Sequence, residues 1–158
     1  MKARWMRLRV QGRADFEAAC ARLALAQSRA APPILAWAHG EEFLFGLLAP
    51  LKFAPGRATR WLSWALAPAV ATCRQLGVPA YLDGGEIWLH GRRVCEASAR
   101  TVGECALVVS SLPRSFPAGC PTALEHAFRL RLEAQHGWQF DHSWPTQREA
   151  LYGAELLV

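Results

Sequence analysis

Of the 158 residues, 52% are hydrophobic, and the formal net charge is +5 at pH 7. This length accommodates one domain with a substantial core but not two, so we predict a single domain over residues 1–158. No apolar run is long enough to span a membrane, and the first residues alternate charged and apolar side chains, unlike a secretory signal. We therefore expect a cytoplasmic protein that does not contact membranes.

The first fifty residues predict a strand, a helix and a hairpin. Residues 5–10 alternate apolar and polar side chains, as a half-buried strand does. Apolar residues three or four apart predict an amphipathic helix over residues 15–30, which the Pro32-Pro33 pair ends. Two apolar runs then flank His39-Gly40-Glu41, which predicts a tight hairpin leading into a strand over residues 42–50.

The middle of the chain predicts a second helix followed by a meander. The helix covers residues 59–76, with a kink or a new start at Pro68 because proline lacks a backbone N–H. Residues 81–111 predict three strands joined by turns at Gly91 and Gly103. The second of these strands should lie at the centre, between the other two.

Two capping boxes mark the helices of the C-terminal part. After a proline-rich loop, Thr122 and Glu125 have the spacing that opens a helix, which we predict to end at His136. Thr146 and Glu149 repeat this spacing and predict a short terminal helix.

The cysteines and histidines indicate neither disulfides nor a metal site. Five cysteines are an odd number, none forms a Cys-x-x-Cys pair, and we interpret them as reduced thiols. No histidine is spaced from a cysteine as zinc ligands are, so we predict no metal.

The positive charge comes from arginine, since only Lys2 and Lys52 are lysines among 18 basic residues. A basic surface can attract nucleic acid or an acidic protein, and a basic binding module is one alternative for this chain. The arginines are spread without a dense cluster, which favours an ordinary solvated surface and disfavours nucleic acid. Trp5 lies among arginines, and we interpret it as packed beside them rather than as a platform for bases.

The run from Glu86 to Arg100 carries a family resemblance. It has an acidic residue, isoleucine and an aromatic residue, then Gly91-Arg92 followed by a basic residue and valine, and an apolar strand comes after it. This run resembles the central signature of the biotin/lipoate protein ligases and the lipoyl/octanoyl transferases. The resemblance implies an α+β fold, a mainly antiparallel sheet with packed helices, like the class II synthetase-like catalytic core of those ligases.

Two departures from the family pattern concern the same substrate. The family lysine, which reaches the acyl carbonyl and the phosphate of the acyl-adenylate, is replaced here by Arg93. Arginine keeps the charge but not the compact, tunable ammonium. The family's glycine-triplet loop before the strand of residues 43–50 is missing, and phosphate binding by backbone N–H groups needs such a loop. The resemblance then implies a degenerate domain that binds or assists, with no use of ATP.

A cysteine-dependent acyltransferase is the alternative enzyme. Cys95 follows Arg93 by two residues, which on a regular strand places both side chains on one face, where the guanidinium would lower the thiol pKa. Cys120 lies in the loop after the meander. Each cysteine also suits a buried apolar position. The candidate catalytic residues are Arg93, Cys95 and Cys120, and the candidate substrate-binding residues are Phe43, Trp88, Arg92 and Arg100.

The resemblance also implies ligands and partners. A lipoyl, octanoyl or biotinyl group is the implied ligand, and a lipoyl- or biotinyl-carrier domain is the implied partner. Without the covering loop, we expect an open apolar groove between the Trp88–Val94 region and the strand of residues 43–48, with Arg93 on its floor and Arg92 and Arg100 at its rim. We expect a protein partner or a second copy of the chain to cover this groove.

Overall fold

The structure is a computed structural model, and it describes residues 1–40, 42–112 and 121–151. Helices and strands both occur in the part that it describes, and the α+β class is confirmed. The elements, in chain order, are β1 (Lys2–Arg7), α1 (Arg13–Leu25), β2 (Ile34–His39), β3 (Phe43–Pro50), α2 (Trp61–Gln75), β4 (Tyr81–Asp83), β5 (Glu86–Leu89), β6 (Arg92–Cys95), β7 (Ala97–Val102), β8 (Cys105–Leu112), α3 (Pro121–His136), β9 (Gln139–His142) and α4 (Gln147–Leu151).

A six-stranded sheet, in the order β7-β8-β3-β2-β1-β9, separates two layers of core. β1 is parallel to β2 and β9, and the other pairings are antiparallel. Alternating residues of β2 divide between the layers: Leu35 and Trp37 face α2, α3 and the smaller sheet, whereas Ile34 and Ala36 face α1. Both faces of the sheet are therefore covered.

Helix α1 packs closely on the centre of this sheet. A Cβ atom on Gly46 of β3 would lie 2.6 Å from the Cys20 sulfur, so glycine is needed for the close approach. The helix ends at Leu25, five residues before the predicted end at residue 30. The Gln27 side chain donates to the Leu23 carbonyl at 2.9 Å, which satisfies an acceptor of the last turn and ends the helix before the prolines.

Helix α2 is continuous through Pro68 and does not begin again there. The missing N–H of Pro68 leaves the Trp64 carbonyl without its usual partner one turn earlier. His136, at the end of α3, places its Nε2 3.1 Å from that oxygen, and since a carbonyl only accepts, Nε2 is the donor. The proline therefore creates an acceptor that ties α2 to α3.

The predicted meander is wrong in one respect, because its middle strand is divided between two sheets. β4, β5 and β6 form a small sheet with β6 at its edge, while β7 pairs with β8 at the edge of the large sheet. Ile87 pairs with Cys95 and Trp88 pairs with Arg93, so Val94 is an extra residue. Such a bulge bends and twists a strand, and the chain leaves the small sheet directly after it.

One of the two predicted capping boxes can be compared with the described side chains. In α4, the Thr146 N–H donates to Glu149 Oε1 at 2.8 Å, and the Glu149 N–H donates to Thr146 Oγ1 at 3.2 Å, so this box is confirmed. Helix α3 begins at Pro121, and the Glu125 carboxylate accepts from Arg7 of β1. This contact ties α3 to the sheet, while the Thr122 side chain, which the predicted box needs, lies outside the part that the structure describes.

Candidate functional site

A short turn joins β2 and β3, at the place where the family resemblance implies a glycine-triplet loop. β2 and β3 pair from Ile34–Leu48 to His39–Phe43, which confirms the predicted hairpin. At the turn, the Gly40 N–H donates to the Glu42 carbonyl at 3.1 Å. This amide is used within the hairpin and does not point into a phosphate site.

A cavity of about 330 Å³ lies beside this hairpin, between the end of β1 and the beginning of α1. Its apolar wall consists of the buried side chains of Leu8, Ala38 and Leu44. The exposed residues Arg9, His39 and Glu42 provide its polar rim. A more polar cleft of about 420 Å³ continues along α1 past Asp15 and Arg22. The arrangement suits a small ligand with an apolar body and a polar end.

The six described candidate residues do not line this cavity. Its apolar wall was missed because Leu8, Ala38 and Leu44 have the ordinary signature of core strand residues. The sequence could have indicated this place only through its position, since the cavity opens next to the hairpin at which the family resemblance implies a substrate loop.

Arg93 lies on the exposed edge strand β6, with 49% of its side chain accessible. Its guanidinium contacts Glu86 Oε1 at 3.1 Å and Glu96 Oε1 at 3.4 Å. The expected position at the centre of a sheet and on the floor of a groove is wrong, because the bulge at Val94 turns this side chain outward. Arg93, which the resemblance equates with the family lysine, is therefore accompanied by two carboxylates.

Cys95 is 2% exposed and lies in the core, on the opposite side of the small sheet from Arg93. The predicted shared face is therefore wrong, again because of the bulge. Burial raises the pKa of the Cys95 thiol to about 12, and a hydrogen bond with Ser111 opposes this only in part. A thiol with such a pKa is almost entirely protonated near neutral pH and is a poor nucleophile.

The remaining candidates are dispersed. Phe43 is half-buried, with its ring 6.5 Å from that of Trp37. Trp88 is half-buried on the small sheet, and its Nε1 donates to the Asp83 carbonyl. Arg92 and Arg100 are exposed, on different sheets. Cys120 lies outside the described residues.

The expected open groove along β3 is not found. Leu44 is only 4% exposed, and the β3 residues after it are also buried, because α1 covers one face of the strand and the second core layer covers the other. A small cavity at the end of the hairpin is found instead of a bare apolar strand.

Neither a metal cluster nor a membrane helix is found among the residues that the structure describes. No three His, Cys, Asp or Glu side chains in that part are grouped as metal ligands. None of its helices combines the length and the apolarity needed to cross a bilayer.

The architecture matches solved structures at very low sequence identity. A bi-partite lipoate protein ligase from Thermoplasma acidophilum superimposes with a TM-score of 0.76 at 10% identity, over 96% of this chain and 90% of that one. Lipoate-protein ligase A bound with ATP gives 0.77 at 11% identity, over 96% and 92%. The fold is that of the lipoate and biotin protein ligases.

Within the ligase fold, the biotin enzymes are less similar. A biotin acetyl coenzyme A carboxylase synthetase from Helicobacter pylori, with bound biotinylated ATP, gives a TM-score of 0.58 at 10% identity, over 84% of this chain and 75% of that one. No protein-family model matches the chain, and no curated protein is detectably similar in sequence.

Proposed function

We propose that this chain is a single ligase-fold domain that does not form an acyl-adenylate and acts by binding, as an accessory to lipoyl attachment. The observation that carries the proposal is the state of Arg93. Its guanidinium is paired with Glu86 and Glu96 at an exposed strand edge, and Arg93 is not among the residues that line the cavity at the hairpin. A cation neutralised in this way is a poor partner for an acyl phosphate.

The hairpin supports the same proposal. A phosphate needs several free backbone N–H groups pointing at one place. The turn between β2 and β3 is short, and the Gly40 N–H already has a partner in Glu42. The cation and the nest that stabilise an adenylate are thus both weakened, and ATP is not expected to be a substrate.

A lipoyl or octanoyl group is the ligand that we propose for the cavity, and a lipoyl-carrier domain is the proposed partner. The apolar wall of Leu8, Ala38 and Leu44 suits the chain of such a group, and its polar end would lie near Arg9 or His39. One structural neighbour is described as bi-partite and with an E2 lipoyl domain, which is a precedent for a ligase-fold chain that acts with other proteins. Biotinyl carriers are disfavoured because the biotin enzymes superimpose less well.

Pyrophosphate release is the deciding measurement. The purified protein is incubated with ATP and lipoate, octanoate or biotin, with an active lipoate ligase as the positive control. A lipoyl domain is then added to test its modification. Its binding is measured separately, by calorimetric titration. We expect no pyrophosphate release that depends on lipoate, octanoate or biotin, and no mass increase of the lipoyl domain. We expect the lipoyl domain to bind. Arg93→Lys should not restore turnover by itself. Pyrophosphate release that depends on lipoate would contradict the proposal.

A further inference from the structure

An exposed tryptophan is held at a rigid corner between β9 and α4. Trp144 is 50% exposed, yet its carbonyl accepts from Arg4 Nη2 at 2.9 Å and from Ser143 Oγ at 3.1 Å. Arg4 is itself fixed by a two-pronged contact with Glu149, at 2.8 Å for each nitrogen. An apolar side chain on a flexible loop needs no such support. Here a buried ion pair fixes the backbone of a residue whose indole faces solvent.

The Trp144 indole ends a row of aromatic and cationic groups, whose rings meet edge to face or at a tilt. Its ring is 5.4 Å from that of His142, which lies 4.6 Å from Trp5. The guanidinium carbons of Arg129 and Arg7 follow, at 4.1 Å and 5.4 Å from the Trp5 ring. We call these five groups the aromatic row. Each ring restricts the next, so little conformational freedom remains to be lost when a partner contacts the exposed end.

At this edge of the sheet, one outward-facing backbone N–H is already used within the chain. β9 is an edge strand, and the Phe140 N–H would be available to another strand. The Glu133 carboxylate accepts from it at 3.1 Å. This favours side chains as the surface that a partner contacts at this edge, where Trp144 and His142 are exposed.

We propose that the exposed end of the aromatic row, Trp144 and His142, is the docking site for a lipoyl-carrier domain with an acidic surface. An ordered, exposed tryptophan is typical of the residues that dominate protein interfaces. The net charge of +5 favours approach of an acidic domain, and the lipoate ligases are the structures that superimpose best among those compared above. This inference rests on the proposed function and adds the surface that the carrier contacts.

Calorimetric titration of a purified acidic E2 lipoyl domain tests the surface. We expect Trp144→Ala to weaken binding about tenfold or more, as loss of an interface anchor does, and Trp144→Phe to weaken it less. Leu130→Ala is the matched control, because Leu130 is an exposed apolar residue on α3 with 49% accessibility, and it should bind like the wild type. Binding should weaken at high salt. Circular dichroism of each variant verifies folding.

The outcomes separate the docking surface from the proposed function. If the lipoyl domain binds the wild type and Trp144→Ala equally, the docking surface is wrong while the proposed function stands. If the lipoyl domain does not bind the wild type at all, both fail. Sedimentation of the wild type and of Trp144→Ala tests whether a second copy of this chain binds the surface instead. Self-association that the substitution abolishes, and that the lipoyl domain does not displace, would assign the surface to a second copy and overturn the proposal.

Discussion

Two buried glutamates contact neighbouring arginines of β1, yet their pKa values move in opposite directions. Glu149 and Glu125 are each 2% exposed. Glu149 pairs with Arg4 at 2.8 Å, and Glu125 pairs with Arg7 at 3.1 Å. The pKa of Glu149 lies below its usual value, whereas that of Glu125 lies above it. Both carboxylates are buried and both contact an arginine, so the opposite pKa shifts come from the other groups that contact them.

The region around Glu149 satisfies the carboxylate completely. Burial raises its pKa, but hydrogen bonds from Arg4, the Thr146 N–H and the Gln27 amide lower it further than burial raises it. The Gln27 contact is short, at 2.6 Å to Oε2. Several donors to one ionised group are what stabilise its charged form. This network joins β1, the end of α1 and α4.

The region around Glu125 leaves the carboxylate less well satisfied. Burial is the largest influence and raises its pKa, while Arg7 and Arg129 lower it only in part. The Arg7 Nε is 3.1 Å and 3.4 Å from the two oxygens, which is longer than the Arg4 contacts. The guanidinium of Arg129 lies over the Trp5 ring, with its carbon 4.1 Å from the ring centroid. The comparison teaches that the number and geometry of donors, rather than burial, decide how a buried carboxylate ionises.

The largest effect is expected from removing the better satisfied glutamate. Glu149→Ala leaves Arg4 without its partner and removes a helix cap, so we expect a loss of about 3–5 kcal/mol in the free energy of unfolding. Urea denaturation measures it. Glu17→Ala, which removes a half-exposed pair with Arg13, is the control and should cost about 0.5 kcal/mol or less. A loss for Glu149→Ala no greater than that control would show that the network contributes little.

Removing the cap alone should have a smaller effect. Thr146→Ala deletes the hydroxyl that accepts from the Glu149 N–H but keeps the Arg4 pair, so we expect a loss of about 1 kcal/mol. The same denaturation experiment checks it. If Thr146→Ala costs as much as Glu149→Ala, the cap and not the ion pair is the source of the stability.

Neutralising the less satisfied glutamate should change stability by about 1 kcal/mol or less. The pKa of Glu125 is raised above 4.5 in the folded protein, so the folded state holds its proton more tightly and the stability gained is lost as pH rises through the folded pKa. Glu125→Gln removes this titration. Its stability relative to the wild type should therefore increase with rising pH, measured as denaturation midpoints over that range. A relative stability that decreases with rising pH would contradict the raised pKa.

The corresponding variant of Glu149 should show the opposite sign. The pKa of Glu149 is lowered in the folded protein, so its contribution is present above 4.5 and is lost as pH falls through the folded pKa. Glu149→Gln should be least destabilised, relative to the wild type, at the lowest pH. Parallel pH profiles for the Glu125 and Glu149 variants would remove the basis of the comparison.

The smallest effect is expected at the other end of α3, at His136. Burial lowers its pKa below 6.5, against hydrogen bonds with the Trp64 and Gln135 backbone that raise it. The unfolded chain therefore binds the proton first, and stability falls as pH drops below about 6.5. His136→Gln should flatten this limb of the denaturation profile by less than about 1 kcal/mol. An unchanged limb would place the titration elsewhere.

The candidate site was predictable only where local rules apply. The hairpin at His39-Gly40 was predicted correctly, and it marks the place where the cavity lies. The surroundings of Arg93 and Cys95 were not, because they depend on one bulge residue, Val94, in a strand that otherwise alternates normally. No glycine or proline marks that irregularity, so the sequence pattern predicts a regular strand with both side chains on one face.

The sequence by itself determined the elements whose signals are local. The buried stripe of α1, the span of α2 to within two residues at its start, and the capping box of α4 follow from helical periodicity and from hydrogen bonds that span a few residues. The motif from Glu86 to Arg100 also indicated the fold that the solved ligases share. These features depend on neighbours along the chain, which the sequence states directly.

Only the tertiary structure decided which distant groups meet. Arg4 and Glu149 are 145 residues apart, and Arg7 and Glu125 are 118 apart, so nothing local assigns either pair. The aromatic row likewise joins Trp5 to Trp144 through β9, which lies beside β1 although it comes last among the strands. The position of each strand in the sheet is set by packing against the whole core, and the donors around a carboxylate follow from that position.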